Sequence, residues 1–155
     1  MPFRVRVPVV REGQPVTRAE WQRMAGERVR DAAALLKVRR WSAAYYLAGY
    51  AVECGLKACV VAYVRKHIEV IFRERRFSER CWTHDFDELL KLAELKARHD
   101  ADLAADPTLQ QNWLVVKNWK ETARYERKSR VEAEGLYRAV SDPANGVLPW
   151  IRNHW

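Results

Sequence analysis

The chain has 155 residues, of which 48% are hydrophobic and 31% charged, and its formal net charge at pH 7 is +8. This composition excludes an intrinsically disordered chain, and this length is enough for one domain that buries its own core. The excess of positive charge favours acidic partners such as nucleic acid, nucleotides or an acidic protein.

The N-terminal end of the chain is predicted to differ from the rest. Residues 3–9 alternate apolar and basic side chains, which is the period of a strand. Pro2 and Pro8 argue against a central strand, so we predict an extended arm over residues 1–16 and one helical domain over residues 17–155. The arm lacks the apolar segment of a secretory signal.

Two long helices are predicted to follow this arm. Thr17 with Glu20 three residues later forms the pattern of a capping box, which begins a first helix over residues 18–39. Ser42 is predicted to cap a second helix that continues to about residue 65, because small and apolar residues recur every three or four positions. This second helix has the most regular pattern in the chain.

Three more helices are predicted in the second half of the chain, each beginning at a residue that can cap free backbone N–H groups. These residues are Thr83 or Asp85 for the third helix, Asp106 before Pro107 for the fourth, and Ser129 with Glu132 for the fifth. The fourth helix is expected to stop near Thr122. The fifth is expected to direct four residues inward, namely Val131, Gly135, Ala139 and Val140. A turn at residues 142–146 should then end the fifth helix, and the tail after it should pack two tryptophans against the bundle.

These helical segments are joined by short connections, and no convincing run of strands is present. The sequence therefore predicts an all-α fold, an antiparallel bundle of about five helices. Function must then come from sites on that bundle.

The cysteines and the apolar stretches predict a cytoplasmic protein. The number of cysteines is odd, which disfavours a disulfide framework and favours a reducing compartment; they are Cys54, Cys59 and Cys81. The most apolar stretch, residues 43–64, is interrupted by Glu53 and Lys57 and falls short of a clean apolar span. We therefore expect neither a transmembrane helix nor a membrane partner.

Glu53 and Lys57 are the first candidate site residues. They are four residues apart in the predicted second helix, so their side chains meet on one face. One interpretation is a surface ion pair on an amphipathic helix. The other is a polar floor beneath a cleft.

His84 is the second candidate, next to Asp85 where the third helix begins. A helix N-terminus presents free N–H groups and the positive end of the helix dipole, so it can hold a phosphate. The alternative is that Asp85 only caps the helix and that His84 is structural or solvated.

Residues 122–130, between the fourth and fifth helices, place one aromatic ring among several basic side chains. Arg124 and Arg127 could each grip a phosphate with two parallel hydrogen bonds, and Tyr125 could stack on a base. The alternative is a basic loop between two helices. Of all segments, this one is most typical of nucleic-acid binding.

No metal or cofactor is predicted. Cys81 and His84 are half of a plausible zinc ligand set, but no second pair follows at the spacing of a zinc finger. The sequence also lacks a Gly-rich phosphate loop and the common motifs of serine hydrolases and zinc proteases.

Three segments together resemble the HEPN family, small helical-bundle proteins of prokaryotes that are associated with nucleotides and RNA. The segments are residues 42–58 (SAAYYLAGYAVECGLKA), residues 83–90 (THDFDELL) and Arg124-Tyr125. The resemblance covers most of residues 18–155. It implies a bundle of about five helices that pairs into a homodimer, with a shared cleft near the start of the last long helix.

Many members of that family are metal-independent ribonucleases, often toxins paired with a small nucleotidyltransferase antitoxin. The resemblance implies an arginine that is followed, a few residues later, by a histidine. Arg124 matches the arginine, but Ser129, Arg130 and Val131 stand where the histidine is expected. Neither serine nor arginine replaces imidazole in abstracting a proton from a 2′-hydroxyl, so we expect little nuclease activity.

Three hypotheses remain open. In the first, a dimeric HEPN-like domain, in a toxin–antitoxin or defence system, binds RNA or a nucleotide. Arg124 and Lys57 then hold phosphate, Tyr125 stacks, and Glu53 and His84 order the pocket. In the second, the chain is a ribonuclease in which His84 replaces the missing histidine, with Arg124 as its other candidate catalytic residue. In the third, the chain is a module that docks a small nucleotidyltransferase and has no site of its own.

Overall fold

The first helix begins where the sequence places a capping box. Thr17 Oγ1 accepts a hydrogen bond from the Glu20 backbone N–H, and the Glu20 carboxylate accepts one from the Thr17 N–H. The computed structural model describes Gly13, Pro15 and residues 17–155. Most of the arm predicted over residues 1–16 therefore lies outside the described residues.

The described residues form nine α-helices and one 3₁₀ helix, and no strand is found among them. The all-α prediction is confirmed. The count is higher than predicted because four of the helices are only four to seven residues long. In chain order they are α1 (Arg18–Lys37), α2 (Trp41–Lys66), α3 (Val70–Arg73), α4 (Phe77–Arg80), α5 (Phe86–Leu92), α6 (Lys96–Ala105), α7 (Pro107–Val116), the 3₁₀ helix (Glu121–Tyr125), α8 (Arg130–Ser141) and α9 (Val147–Arg152).

The helix α2 lies at the centre of the bundle, where it packs against α1, α5, α8, α9 and the 3₁₀ helix. Its small residues let these neighbours approach closely. At Gly49, for example, the indole of Trp119 lies directly against the backbone, where any Cβ would collide with it. Among the described helices, α2 is the one whose length and apolar composition would suffice to cross a membrane. However, 67% of its most apolar window is buried inside the protein, as a core helix requires.

The prediction that Ser42 caps α2 is wrong, because α2 already begins at Trp41. The chain reverses between α1 and α2 within three residues, since Arg39 adopts a left-handed conformation with φ of 59°. This reversal leaves no extended residue at position 42. The Ser42 hydroxyl instead accepts a hydrogen bond from the Lys128 backbone N–H at 2.9 Å, which ties the start of α2 to the segment before α8.

The predicted caps of the later helices are confirmed. Asp85 accepts from the Glu88 N–H at the start of α5, Asp106 caps α7, and Ser129 forms a capping box with Glu132 at the start of α8. The end predicted near Thr122 is wrong, since α7 ends at Val116. The chain between residues 117 and 120 instead places Trp119 in the core.

The inward face of α8 was predicted only in part. Ala139 and Val140 are buried, together with Ala133 and Leu136. Val131 is 77% exposed, and Gly135 meets no neighbour within 4 Å of a Cβ built on it. Both predictions fail because the buried stripe passes through residues 133 and 136, and Val131 lies on the other side of the helix.

The C-terminal tail closes the bundle. Asp142 accepts hydrogen bonds from the backbone N–H groups of Ala144 and Asn145, which forms the predicted turn. The tail then forms α9, which buries Trp150, while Trp155 is partly buried against the same core. The predicted packing of two tryptophans is therefore confirmed.

Candidate functional site

Glu53 and Lys57 form an ion pair inside the protein. Lys57 Nζ donates to Glu53 Oε1 over 2.9 Å, and the two residues are only 6% and 1% exposed, respectively. The interpretation as a surface ion pair is therefore wrong. Burying two charges costs free energy that only close pairing and further hydrogen bonds can offset.

His84 supplies such a further hydrogen bond from the loop before α5. Its Nδ1 lies 2.9 Å and 3.0 Å from the two carboxylate oxygens of Glu53. Because an ionised carboxylate only accepts hydrogen bonds, we assign the proton to Nδ1. In the neutral imidazole, Nε2 is then left as a hydrogen-bond acceptor and a base.

Local hydrogen bonds hold this loop in place over α2. Thr83 Oγ1 accepts from the Asp85 backbone N–H at 3.0 Å, and Asp85 in turn caps α5. Asp85 is therefore a cap, as one of its two interpretations proposed. The histidine between them is fixed at its Nδ1 side while 45% of its side chain stays exposed.

Glu53, Lys57 and His84 line a cavity of about 500 Å³, which we call the Glu53 cleft. Its lining residues are Gly13, Pro15, Trp21, Met24, Tyr50, Glu53, Lys57, Trp82 and His84. The Lys57 ammonium lies 5.2 Å from the centre of the Trp21 ring, within the range of a cation–π contact. Burial, then the neighbouring Cys54 and Glu53, raise the pKa of Tyr50 to about 12, so its hydroxyl stays protonated at neutral pH.

A second site lies where the α1–α2 turn meets the segment between the 3₁₀ helix and α8. It is a cavity of about 730 Å³, which we call the basic groove. Its lining residues are Arg39, Arg40, Trp41, Ser42, Ala43, Tyr46, Arg124, Arg127 and Lys128. Lys128 Nζ is neutralised by Glu126 at 2.7 Å. The four arginines have no carboxylate within salt-bridge distance among the described residues.

Arg124 and Tyr125 form a pair at the edge of this groove. The guanidinium lies 4.9 Å from the centre of the Tyr125 ring, and that ring is 78% exposed. Hydrogen bonding with the Tyr125 and then the Tyr46 hydroxyl raises the pKa of Arg124. A base could stack on the exposed Tyr125 ring while the phosphate of the same nucleotide binds Arg124.

The structure divides the predicted site residues into two groups. Glu53, Lys57 and His84 meet in the Glu53 cleft, whereas Arg124, Tyr125 and Arg127 lie at the basic groove. The two cavities share no lining residue. An aromatic stack lies between them, since the ring of Tyr46 stacks at 5.9 Å on Tyr50 and at 5.9 Å on Trp119.

Sequence reasoning missed Arg39 and Arg40, which double the number of arginines in the groove. The signal was available, because two arginines directly precede Trp41 at the start of α2. It also missed a cavity of about 750 Å³ on the other side of His84. The aromatic wall of that cavity includes Phe86 and Trp119, whose rings stack at 5.4 Å. No local pattern in the sequence indicates it.

Comparison of the chain with protein-family models, with curated proteins and with solved structures found no match. The described residues contain no group of three or more His, Cys, Asp or Glu side chains that could hold a metal ion. Burial raises the pKa of the Cys54 and Cys59 thiols to about 12, so neither is a reactive thiolate at neutral pH. Among the described residues, the candidate groups for binding or catalysis are the His84 imidazole of the Glu53 cleft and the cations of the basic groove.

Proposed function

We propose that this chain is a cytoplasmic, dimeric, HEPN-like domain that binds single-stranded RNA or a nucleotide through the basic groove. The observation that carries the proposal is the convergence of four arginines without a carboxylate partner among the described residues, next to Trp41 and Tyr46. Unpaired guanidinium groups are well suited to phosphate oxygens, because each can donate two parallel hydrogen bonds.

In this proposal Arg124 and Arg127 hold phosphates and the exposed ring of Tyr125 stacks on a base. Each such stacking contact contributes about 1–3 kcal/mol. Lys57 is assigned no phosphate, because its ammonium is already bonded to Glu53 and lies over the Trp21 ring. Glu53 instead fixes His84, which is the half-exposed group of the neighbouring cleft, and Lys57 pairs with Glu53.

Binding of a fluorescent single-stranded RNA at several salt concentrations tests this proposal. Each phosphate contact to a single strand contributes about 0.7 to the slope of log K against log salt. Arg124→Ala should therefore weaken binding and lower the slope by about that amount. Arg138→Ala, an exposed arginine of α8 that does not line the groove, is the matched control and should leave the slope unchanged. If Arg124→Ala leaves the slope unchanged, Arg124 makes no phosphate contact and is only a surface charge.

A second candidate function is ribonuclease activity centred on His84, and the Glu53–His84 hydrogen bond favours it. A carboxylate that fixes Nδ1–H leaves Nε2 free to accept the proton of a ribose 2′-hydroxyl. Against it, Arg124 lies at the basic groove and not in the Glu53 cleft, where Lys57 is the one lysine or arginine among the described lining residues.

Incubation of the purified protein with total RNA, with and without EDTA, decides between the two functions. We expect the RNA to remain essentially intact. EDTA-resistant cleavage that yields 2′,3′-cyclic phosphate ends and disappears in His84→Ala would establish the enzyme instead. Glu53→Gln then separates the roles further, since it weakens the fixation of His84 but leaves every residue of the groove in place.

A further inference from the structure

Four large apolar side chains are exposed between the end of α2 and the start of α5. Ile68, Ile71 and Phe72 are 61%, 46% and 88% exposed, and Trp82 is 66% exposed. The first three lie on one helical face, because the backbone N–H groups of Ile71 and Phe72 donate to the carbonyls three residues earlier. Ile71 and Trp82 line the same shallow groove of about 430 Å³. We call this region the 68–82 surface.

The core holds this segment with its apolar side chains facing outward. Val70 in α3 and Phe77 in α4 are buried, at 8% and 5% exposure. With these two anchors inside, Phe72 points into solvent and Ile71 stays half-exposed in the lining of the groove. A contiguous exposed apolar patch on a folded domain marks an interaction surface rather than a solvated face.

The charge around this patch is positive. Residues 65–80 contain six cationic residues and three glutamates. The glutamates are each paired within the segment, as Glu69 with Arg73, Glu74 with Arg80 and Glu79 with Arg76. Arg65, Lys66 and Arg75 are exposed and have no ion-pair partner among the described residues. The surface therefore offers unpaired cations beside its apolar side chains.

We propose that the 68–82 surface binds an anionic lipid bilayer at the interface between head groups and acyl chains. A protruding phenylalanine with flanking isoleucines and a tryptophan fits that interface without a shaped pocket, and arginine and lysine meet the anionic head groups. A second copy of the chain fits less well, because it would bring two positive surfaces together. The expectation that no membrane takes part depended on the lack of a spanning segment, which binding at the surface does not require.

Co-sedimentation of the full chain with vesicles tests the proposal. We expect binding to phosphatidylcholine vesicles that contain about one third phosphatidylserine, and much weaker binding to pure phosphatidylcholine. Phe72→Ser should weaken binding to the anionic vesicles about tenfold, and Arg75→Gln about fivefold. Both side chains are exposed, so neither substitution removes a core contact.

Matched controls lie on α8. Val131→Ser removes an apolar side chain that is also well exposed, at 77%, and Arg138→Gln removes an exposed cation. Both variants should bind the vesicles like the wild type. Arg124→Ala should also bind normally, which separates this surface from the basic groove. Failure of the wild type to sediment with anionic vesicles overturns the proposal, as does sedimentation that Phe72→Ser leaves unchanged. A fall in light-scattering mass in Phe72→Ser without any vesicle binding would assign the surface to a second copy.

Discussion

Replacing Glu53 by methionine tests the buried ion pair most directly. The substitution keeps the volume of the side chain but leaves the Lys57 ammonium, itself only 6% exposed, without its carboxylate at 2.9 Å. Removing one partner of a buried pair costs about 3–5 kcal/mol, because the remaining charge is uncompensated. For a chain of this length, a loss of about 3 kcal/mol lowers Tm by about 6–12 °C.

Urea unfolding followed by circular dichroism measures this loss as a change in the free energy of unfolding. A cycle of Glu53→Met, Lys57→Met and the double variant should show that the double variant is more stable than either single one. The control is the Arg23–Glu27 pair of α1, which has the same spacing and a similar distance of 2.8 Å but is solvent-accessible. Its loss should cost about 0–1 kcal/mol. If Glu53→Met costs no more than Glu27→Met, the Glu53 charge is solvated and the reasoning fails.

Three further predictions concern stability and assembly. Burial lowers the pKa of His99, so below about pH 6.5 the unfolded chain takes up a proton more readily than the folded chain does. Stability should therefore fall from pH 6.5 to pH 5, and urea midpoints of His99→Phe should fall less over that range. Gly49→Ala should destabilise the fold by about 1–3 kcal/mol, because the new Cβ collides with Trp119. Gly135→Ala has open space around the new Cβ and should stabilise α8 by about 0.5–1 kcal/mol. Thermal unfolding of the two variants measures both effects. Light scattering at micromolar concentration should give about twice the monomer mass of 18.2 kDa, and a clean monomer would remove the dimer proposal.

Helix starts were predicted well because they depend on neighbouring residues. Four of the predicted caps, at Thr17, Asp85, Asp106 and Ser129, accept the expected backbone hydrogen bonds. The breaks inside the predicted helices were harder to find. One of them, at Glu94, separates α5 from α6. Glu94 adopts a left-handed conformation with φ of 55°, and the sequence has no glycine at this position that would indicate such a conformation.

The candidate site was predicted in its residues but not in its arrangement. Spacing along α2 shows that Glu53 and Lys57 meet, and this contact is found at 2.9 Å. Spacing cannot show whether such a pair is buried, since that depends on which helices cover it. It also cannot show that His84, 31 residues further on, lies against the same carboxylate. Nor does it indicate that the aromatic stack of Tyr46 and Tyr50 separates this cluster from Arg124.

The hydrogen bonds of Glu53 indicate why a charged pair lies inside α2, the central helix of the bundle. Stability does not require it, because apolar side chains of similar volume in place of a buried pair are often neutral or more stabilising by about 1–4 kcal/mol. A carboxylate that only neutralised Lys57 would have no need to place both oxygens within 3.0 Å of an imidazole. We infer that Glu53 orients His84 and that Lys57 offsets the cost of burying the Glu53 charge. The double methionine variant should therefore fold stably and still leave His84 free to rotate. If that variant binds RNA and leaves it intact like the wild type, the orientation of His84 has no role in RNA binding. If binding is lost while the groove is unchanged, His84 contacts the ligand.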